Sequence, residues 1–409
     1  MSVLVQKFGG TSVADKECME RVLVRVQRAL EQGHKVVVVL SAMAGETNRL
    51  LTMAKEWSDR PDPAEMDVLV STGEQTSIAL FTMLCKDSGV KARSLLGHQA
   101  PITTDCAFGK ARILTIDHER INTLLEHNDV LVVAGFQGAD CNDRITTLGR
   151  GGSDTTAVAI AAAVKAKECE IYTDVDGVYT TDPNICSKAR KRNFITYDEM
   201  LETASMGAKV LQIRSVEFAK KYNVPVHVRS TFSDSPGTLV TKEDKRMEAV
   251  MVSGIALDKD QARFTLQGVM DRPGIAAAIY TPLAEAGVVV DMIIQNTSRE
   301  GVTDMTFTAQ RQDLEKTLEI LEKVKQEVGA TDLHYDTNVC KVSVIGVGMR
   351  HHSGVAATAF NALKDENINI LLISTSEIKI TCLIEEKYTE LAVRTLHDTF
   401  ELDKGPYGG

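Results

Sequence analysis

The stretch Val3-Leu-Val-Gln-Lys7-Phe-Gly-Gly-Thr-Ser12 decides how the chain begins to fold: an apolar strand runs straight into two glycines and then towards a helical pattern over residues 18–32. Lys35-Val-Val-Val-Val-Leu40 follows, apolar at five successive positions, so both faces of that strand need a cover. Further strands are expected at 130–134, 170–173 and 224–229, with helices at 65–87 and 154–166 between them. Continuous apolar strands alternating with amphipathic helices predict an α/β domain in three layers, a mostly parallel sheet with helices on both faces.

Residues 230–250 switch to turn formers and then to charge, which reads as the exit from that domain. The remainder repeats itself. Gly274, Leu283 and Val290 recur 80 residues later as Gly354, Leu363 and Ile370, and Phe264-Thr-Leu-Gln-Gly-Val matches Val342-Ser-Val-Ile-Gly-Val. Two copies are too few for a solenoid, and a βαββαβ order fits a pair of ferredoxin-like α+β sandwiches. The expected organisation is a first domain at 1–230, a linker at 231–260, and two repeats at 261–335 and 336–409.

Composition narrows the function classes. With 46 Lys and Arg against 56 Asp and Glu, the net charge is −10, which argues against duplex nucleic acid or an anionic membrane as the main partner. No unbroken apolar run approaches the ~20 residues of a membrane helix, and no signal peptide is visible. Eight cysteines are scattered without a CxxC pair, so a disulfide framework or zinc ribbon is not expected and a cytoplasmic, reduced protein is. HExxH and G-x-S-x-G are both absent.

Three clusters carry candidate chemistry. In Lys7-Phe-Gly-Gly-Thr-Ser12, glycines let backbone N–H groups approach an anion and Lys7 adds a full charge; the alternative is a strand-to-helix turn that needs positive φ. In Thr147-Leu-Gly-Arg-Gly-Gly-Ser-Asp-Thr-Thr156, Ser153 or Asp154 suits an N-cap, while Arg150 between glycines suits capture of a carboxylate or phosphate. In Tyr172-Thr-Asp-Val-Asp-Gly-Val-Tyr-Thr-Thr-Asp-Pro183, the aspartates fit Mg²⁺ or ribose contacts, and equally fit turns. Ser41-Ala-Met-Ala-Gly-Glu-Thr47 offers a further loop. Gly73 interrupts a helical pattern beside Glu74, which could hold an ammonium group. All of these lie at strand-to-helix junctions, the edge where open α/β sheets bind ligands, and together they suit phosphoryl transfer.

These motifs, in this order, resemble the aspartate kinase family within the amino acid kinase superfamily, and the repeats resemble its two ACT domains. The resemblance covers nearly the whole chain and matches the monofunctional form, without a fused homoserine dehydrogenase. It implies ATP- and Mg²⁺-dependent phosphorylation of the L-aspartate side chain, the first step towards lysine, threonine, methionine and diaminopimelate. It implies catalytic roles for Lys7 and Asp154. Lys7, Gly9, Gly10, Ser41, Thr173, Asp174, Tyr179, Asp182 and Lys209 would contact the nucleotide. Thr47, Glu74, Arg150, Gly151, Gly152 and Ser153 would contact aspartate, with Arg150 on its α-carboxylate and Glu74 near its amine.

The same resemblance implies end-product inhibition by lysine and threonine at ACT–ACT interfaces of a homo-oligomer. Asp271, Gly274, Ile275, Gln295, Asn296, Asn369, Ile370 and Ser376 are the candidate effector contacts, with capping or subunit pairing as the structural alternative. Two departures stand out: Asn184 follows Pro183 where relatives often carry Arg, and Ala356 stands where a relative has Thr. An α2β2 assembly would need an internal start, for which Met247 and Met251 are available. Acetylglutamate and glutamate 5-kinases remain same-class alternatives, and a non-catalytic amino-acid sensor is the other.

Overall fold

The computed structural model describes residues 2–206, 210–243, 251–296 and 301–404, without the side chains of 350 and 351. It divides into two compact units: residues 2–179 with 191–243, and residues 180–190 with 251–404.

The first unit holds strands β1 (Val3–Phe8), β2 (Lys35–Leu40), β3 (Ala92–Leu95), β4 (Ile102–Thr104), β5 (Ile113–Ile116), β6 (Val130–Ala134), β7 (Gln137–Ala139), β8 (Ile145–Thr147), β9 (Cys169–Thr173), β10 (Phe194–Thr196), β11 (Val226–Ser230) and β12 (Thr238–Thr241). Its helices are α1 (Lys16–Glu31), α2 (Glu46–Trp57), α3 (Pro63–Asp87), α4 (His118–His127), α5 (Gly152–Ala163), α6 (Tyr197–Ser205) and α7 (Ile213–Tyr222). Eight strands form the main sheet in the order β10-β12-β11-β9-β1-β2-β6-β3, and β5-β4-β7-β8 make a small second sheet. Strands β11, β9, β1, β2, β6 and β3 run parallel.

The valines of β2 show why three layers result. Val37 and Val39 join Ile160 of α5 and Leu124 of α4 in one core. Val36, Val38 and Leu40 join Val22 and Val26 of α1 and Phe81 of α3 in the other. Residues 157–161 of α5 are buried without exception, as in a helix enclosed on all sides. Helix α3 has the length and composition of a membrane span, yet half of its apolar window is buried and it carries the buried Asp67 and Glu74. It is a core helix.

Within the expected linker, the described residues on either side of 244–250 include strands. Ser235-Pro-Gly237 turns the chain back so that β12 pairs antiparallel with β11, and the next strand already starts at Gly254. Turn formers here mark a hairpin inside the sheet; composition alone does not distinguish that from a domain exit.

The second unit has one six-stranded sheet, β14-β15-β13-β16-β18-β17, from β13 (Gly254–Met270), β14 (Val290–Gln295), β15 (Val302–Gln310), β16 (Asp332–Ile345), β17 (Leu372–Thr375) and β18 (Lys379–Glu385). Its helices are α8 (Ile275–Glu285), α9 (Leu314–Val328), α10 (Val355–Asp365) and α11 (Thr389–Thr399). The repeat is real: α8 and α10 each open on a glycine in the left-handed region, Gly274 (φ 92°) and Gly354 (φ 107°), and bury Leu283 and Leu363.

The two modules interlock rather than follow each other. One core gathers Phe264, Leu266, Phe307 and Leu333; the other joins Val252, Ile255 and Leu257 to residues 340–402. The first half of β13 thus supplies the second module's missing strand, pairing as Gly254↔Ile345 through Asp258↔Lys341.

Residues 180–190 interrupt the first unit in sequence but fold with the second. Thr180 Oγ1 meets His397 Nε2 at 2.9 Å, Ile255 N donates to Thr180 O at 2.7 Å, and Arg394 Nε donates to Ile185 O at 2.9 Å. Lys188 pairs with Asp398 at 2.8 Å, and Ile185 packs on the second module's core.

Candidate active site

β1 lies where the strand order reverses, with β2 and then β6 on one side and β9 on the other. At such a switch point the loops after neighbouring strands splay apart and leave a crevice. Here a cavity of about 410 Å³ opens, lined by Lys7 of β1 and Gly10 just after it, by Ser41 after β2 and Thr47 at the start of α2, by Glu74 of α3, and by Gly149, Arg150, Gly151, Gly152, Ser153 and Asp154 at the entry to α5. Clusters some 140 residues apart in sequence therefore share one wall.

At its floor Lys7 Nζ lies 2.7 Å from Asp154 Oδ1, both side chains nearly buried. Neither Gly9 nor Gly10 has positive φ, so the turn reading of that pair fails. Gly10 is glycine because an added Cβ would stand 2.9 Å from Ala42 O, closing the gap between the β1 and β2 loops. A Cβ on Gly9 would stand 3.6 Å from Lys7 Nζ.

The capping expectation for α5 is corrected. Gly151 (φ 70°) is the N-cap, and Ser153 and Asp154 fall inside the first turn. That frees Asp154 for Lys7 and leaves the first N–H groups of α5 at the cavity, a ready anion site. Arg150 is exposed and has no ion-pair partner among the described residues.

Glu74 is 4 % exposed; its Oε1 accepts from Ala42 N at 3.0 Å, and its Oε2 has no hydrogen-bond partner among the described residues. Burial pushes its carboxyl up to about 7, against the pull of the Ala42 amide. A buried oxygen without a donor, aimed at a cavity, is a place for a cation to bind. Gly73 does not interrupt α3. It lies inside the helix, where a Cβ would stand 2.8 Å from Ala42 Cβ.

Of the expected nucleotide contacts, Thr173 ends β9, and Asp174 and Tyr179 follow it. Gly9 N donates to Tyr172 O at 3.3 Å, Thr173 Oγ1 donates to Asp174 at 2.9 Å, and Tyr179 OH donates to Asp176 at 2.8 Å. Asp182 lies in the segment that folds with the second unit, its Oδ1 accepting from Asn184 N (2.8 Å) and Nδ2 (3.0 Å) in a local turn. Lys209 lies outside the described residues, as does Met247.

Sequence reasoning passed over Phe136 and Gln212, which also line the cavity. Phe136 (φ 68°) stands two residues past the end of β6, and the rule that ligands gather at strand carboxyl ends would have flagged it. Gln212 carried no such signal. Its side chain fills the place that a Gly151 Cβ would take.

One cluster of possible metal ligands among the described residues, Glu168, Glu170 and His227, lines no part of the cavity. Glu170 is already occupied by Arg229 at 2.6 Å, Gln6 at 2.7 Å and Tyr172 at 3.1 Å.

The effector candidates fall into two groups. Asp271, Gly274 and Ile275 follow the end of β13, and Gln295 and Asn296 the parallel end of β14. Asn369 and Ile370 precede β17 and Ser376 follows it, at the opposite edge of the sheet.

A three-layer parallel sheet with an anion-binding crevice at its switch point defines the class, that of the amino acid kinases: residues 2–230 match the Amino acid kinase family, and residues 264–326 and 342–400 each match an ACT domain. The chain is 55% identical over 404 residues to aspartate kinase of Pseudomonas putida and 56% over 405 residues to aspartokinase of Pseudomonas aeruginosa, covering 98% of each chain in both cases. Aspartokinase III of E. coli has a similar structure both in complex with aspartate and ADP (R-state; TM-score 0.78, 27% identity) and with lysine and aspartate (T-state; TM-score 0.79, 28% identity), over 97% of this chain and 99% of that one. The chain belongs to the aspartate kinase family and carries two ACT domains.

Proposed function

We propose that the chain transfers the γ-phosphoryl group of Mg·ATP to the side-chain carboxylate of L-aspartate, giving 4-phospho-L-aspartate and ADP. The observation that carries this reading is the Lys7–Asp154 pair at the floor of the cavity, with Arg150 and the unpartnered Glu74 oxygen on its walls. A carboxylate is already an anionic nucleophile at pH 7, so the reaction needs no general base. One carboxylate oxygen attacks the γ-phosphorus, and the bond to the β,γ-bridging oxygen breaks as ADP leaves.

The obstacle is charge. Two like unit charges 4 Å apart repel by about 4 kcal/mol at an effective dielectric of ~20. Lys7 and the first amides of α5 offset that repulsion, and Asp154 holds the Lys7 ammonium in place. Arg150 takes the α-carboxylate as a fork, and Glu74 takes the α-ammonium. Mg²⁺ would come with the ATP phosphates and neutralise the phosphate tail. Thr173, Asp174, Tyr179 and Lys209 hold the nucleoside side. Lysine and threonine are the proposed inhibitors, bound by the two effector groups in a cytoplasmic homo-oligomer that pairs ACT domains of separate chains.

Trapping the acyl phosphate with hydroxylamine, over a panel of aspartate, glutamate and N-acetylglutamate, tests the reaction. Hydroxamate should form with aspartate alone, and Lys7→Ala should lower kcat by a hundredfold or more, in the range for losing one transition-state donor. Near-normal turnover in that variant would defeat the assignment.

A further inference from the structure

Asp67 is a buried acid that the proposed reaction does not use. It sits in α3 at 1 % exposure and has no ion-pair partner among the described residues. Its oxygens take only neutral donors: Gly109 N at 3.0 Å to each, Thr147 N at 2.7 Å and Thr147 Oγ1 at 2.7 Å. A buried carboxylate without a cation is costly unless fully hydrogen-bonded, and this one spends all its capacity on two loops. Arg214 of α7 holds the same two loops by their carbonyls, donating to Leu148 O at 2.6 Å and to Ala111 O at 3.0 Å. Between the two side chains one backbone bond, Ala111 N to Thr147 O at 2.8 Å, joins the loops.

The polarity is complementary. Asp67 collects the N–H groups of this junction and Arg214 its C=O groups, so the pair does from outside what a full strand ladder would do from within. The clamp ends where the cavity wall begins. Gly149 comes next, in the left-handed region (φ 76°), with the place of its missing Cβ 3.0 Å from Gly109 O. Arg150 to Ser153 follow. Three glycines in that short loop make it floppy by nature, while a guanidinium fork has to meet a carboxylate to within about 0.5 Å.

We infer that Asp67 and Arg214 are positioning residues for the acceptor loop, fixing residues 149–153 so that Arg150 meets the α-carboxylate in register. This deepens the proposed function and rests on its reading of that loop. Neither side chain touches the substrate.

The test compares the KM for L-aspartate with the KM for ATP in Asp67→Asn, Arg214→Gln and Arg214→Lys, with the unaltered chain alongside. Asp67→Asn and Arg214→Gln should each raise the KM for aspartate tenfold or more and leave the KM for ATP within twofold. Arg214→Lys, which keeps a charged donor for one carbonyl, should recover part of the loss. If Asp67→Asn does not fold, Thr147→Val removes one of the three donors at constant shape and should raise the aspartate KM several-fold. Equal shifts in both KM values, or an unchanged aspartate KM with a lower Tm, overturn the positioning role. Absence of hydroxamate from the unaltered chain with aspartate would instead count against the functional reading itself.

Discussion

Glu74 shows how one residue's burial becomes a pH dependence. Its carboxyl sits near 7 in the folded chain, against about 4.3 for an exposed glutamate. The folded state therefore keeps a proton that the unfolded chain gives up, and the stability this represents is present at low pH and is lost as pH rises from about 4.5 through 7. An α-ammonium binds the ionised form, so aspartate binding releases that proton below neutrality. The KM for aspartate should fall about tenfold per unit as pH rises towards 7, level off above it, and lose this slope in Glu74→Gln; a profile from pH 5.5 to 8.5 measures it. Lys7 and Arg150 were legible from the sequence, since a cation next to bare backbone has few other uses. Glu74 was legible as a candidate only, because its burial and its empty oxygen come from the loop of Ala42 folding over it.

At the scale of elements, α3 makes the sharper case. By propensity alone Gly73→Ala should stabilise an exposed helix by about 1 kcal/mol. Here the new methyl would stand 2.8 Å from Ala42 Cβ, and the loop after β2 has to move. The expected outcome is unchanged helical circular dichroism with a tenfold or larger drop in kcat/KM for aspartate, because Ser41 lines the cavity from that loop and Thr47 from the helix it leads into. The same logic separates what was read well from what was not. Strand β2 and strand β6 stand at the expected positions because their apolar runs admit no other reading. The start of α5 was misplaced because Ser153 and Asp154 are good caps in isolation, and the left-handed Gly151 outranks them once Asp154 is drawn to Lys7.

For the whole molecule, residues 180–190 matter most. They leave the first unit after β9 and fold with the second, held through Thr180, Ile185, Lys188 and Arg190. A fragment ending at residue 243 would keep this segment and lose its partners, baring the half-buried Ile185 and the buried Cys186. Trypsin should then cut at Lys188 and Arg190 at least tenfold faster in the fragment than in the full chain; equal rates would show that the segment is held by something else. The sequence by itself determined the three-layer sheet, the repeated modules and the loops of the site, because periodicity, glycine placement and isolated cations are local properties. Tertiary structure alone decided that β13 serves both modules, that β12 returns to the first sheet, and that Asp67 and Arg214 grip one junction. Each of those depends on which distant backbone groups are left needing a partner, and that is settled only when the chain has closed on itself.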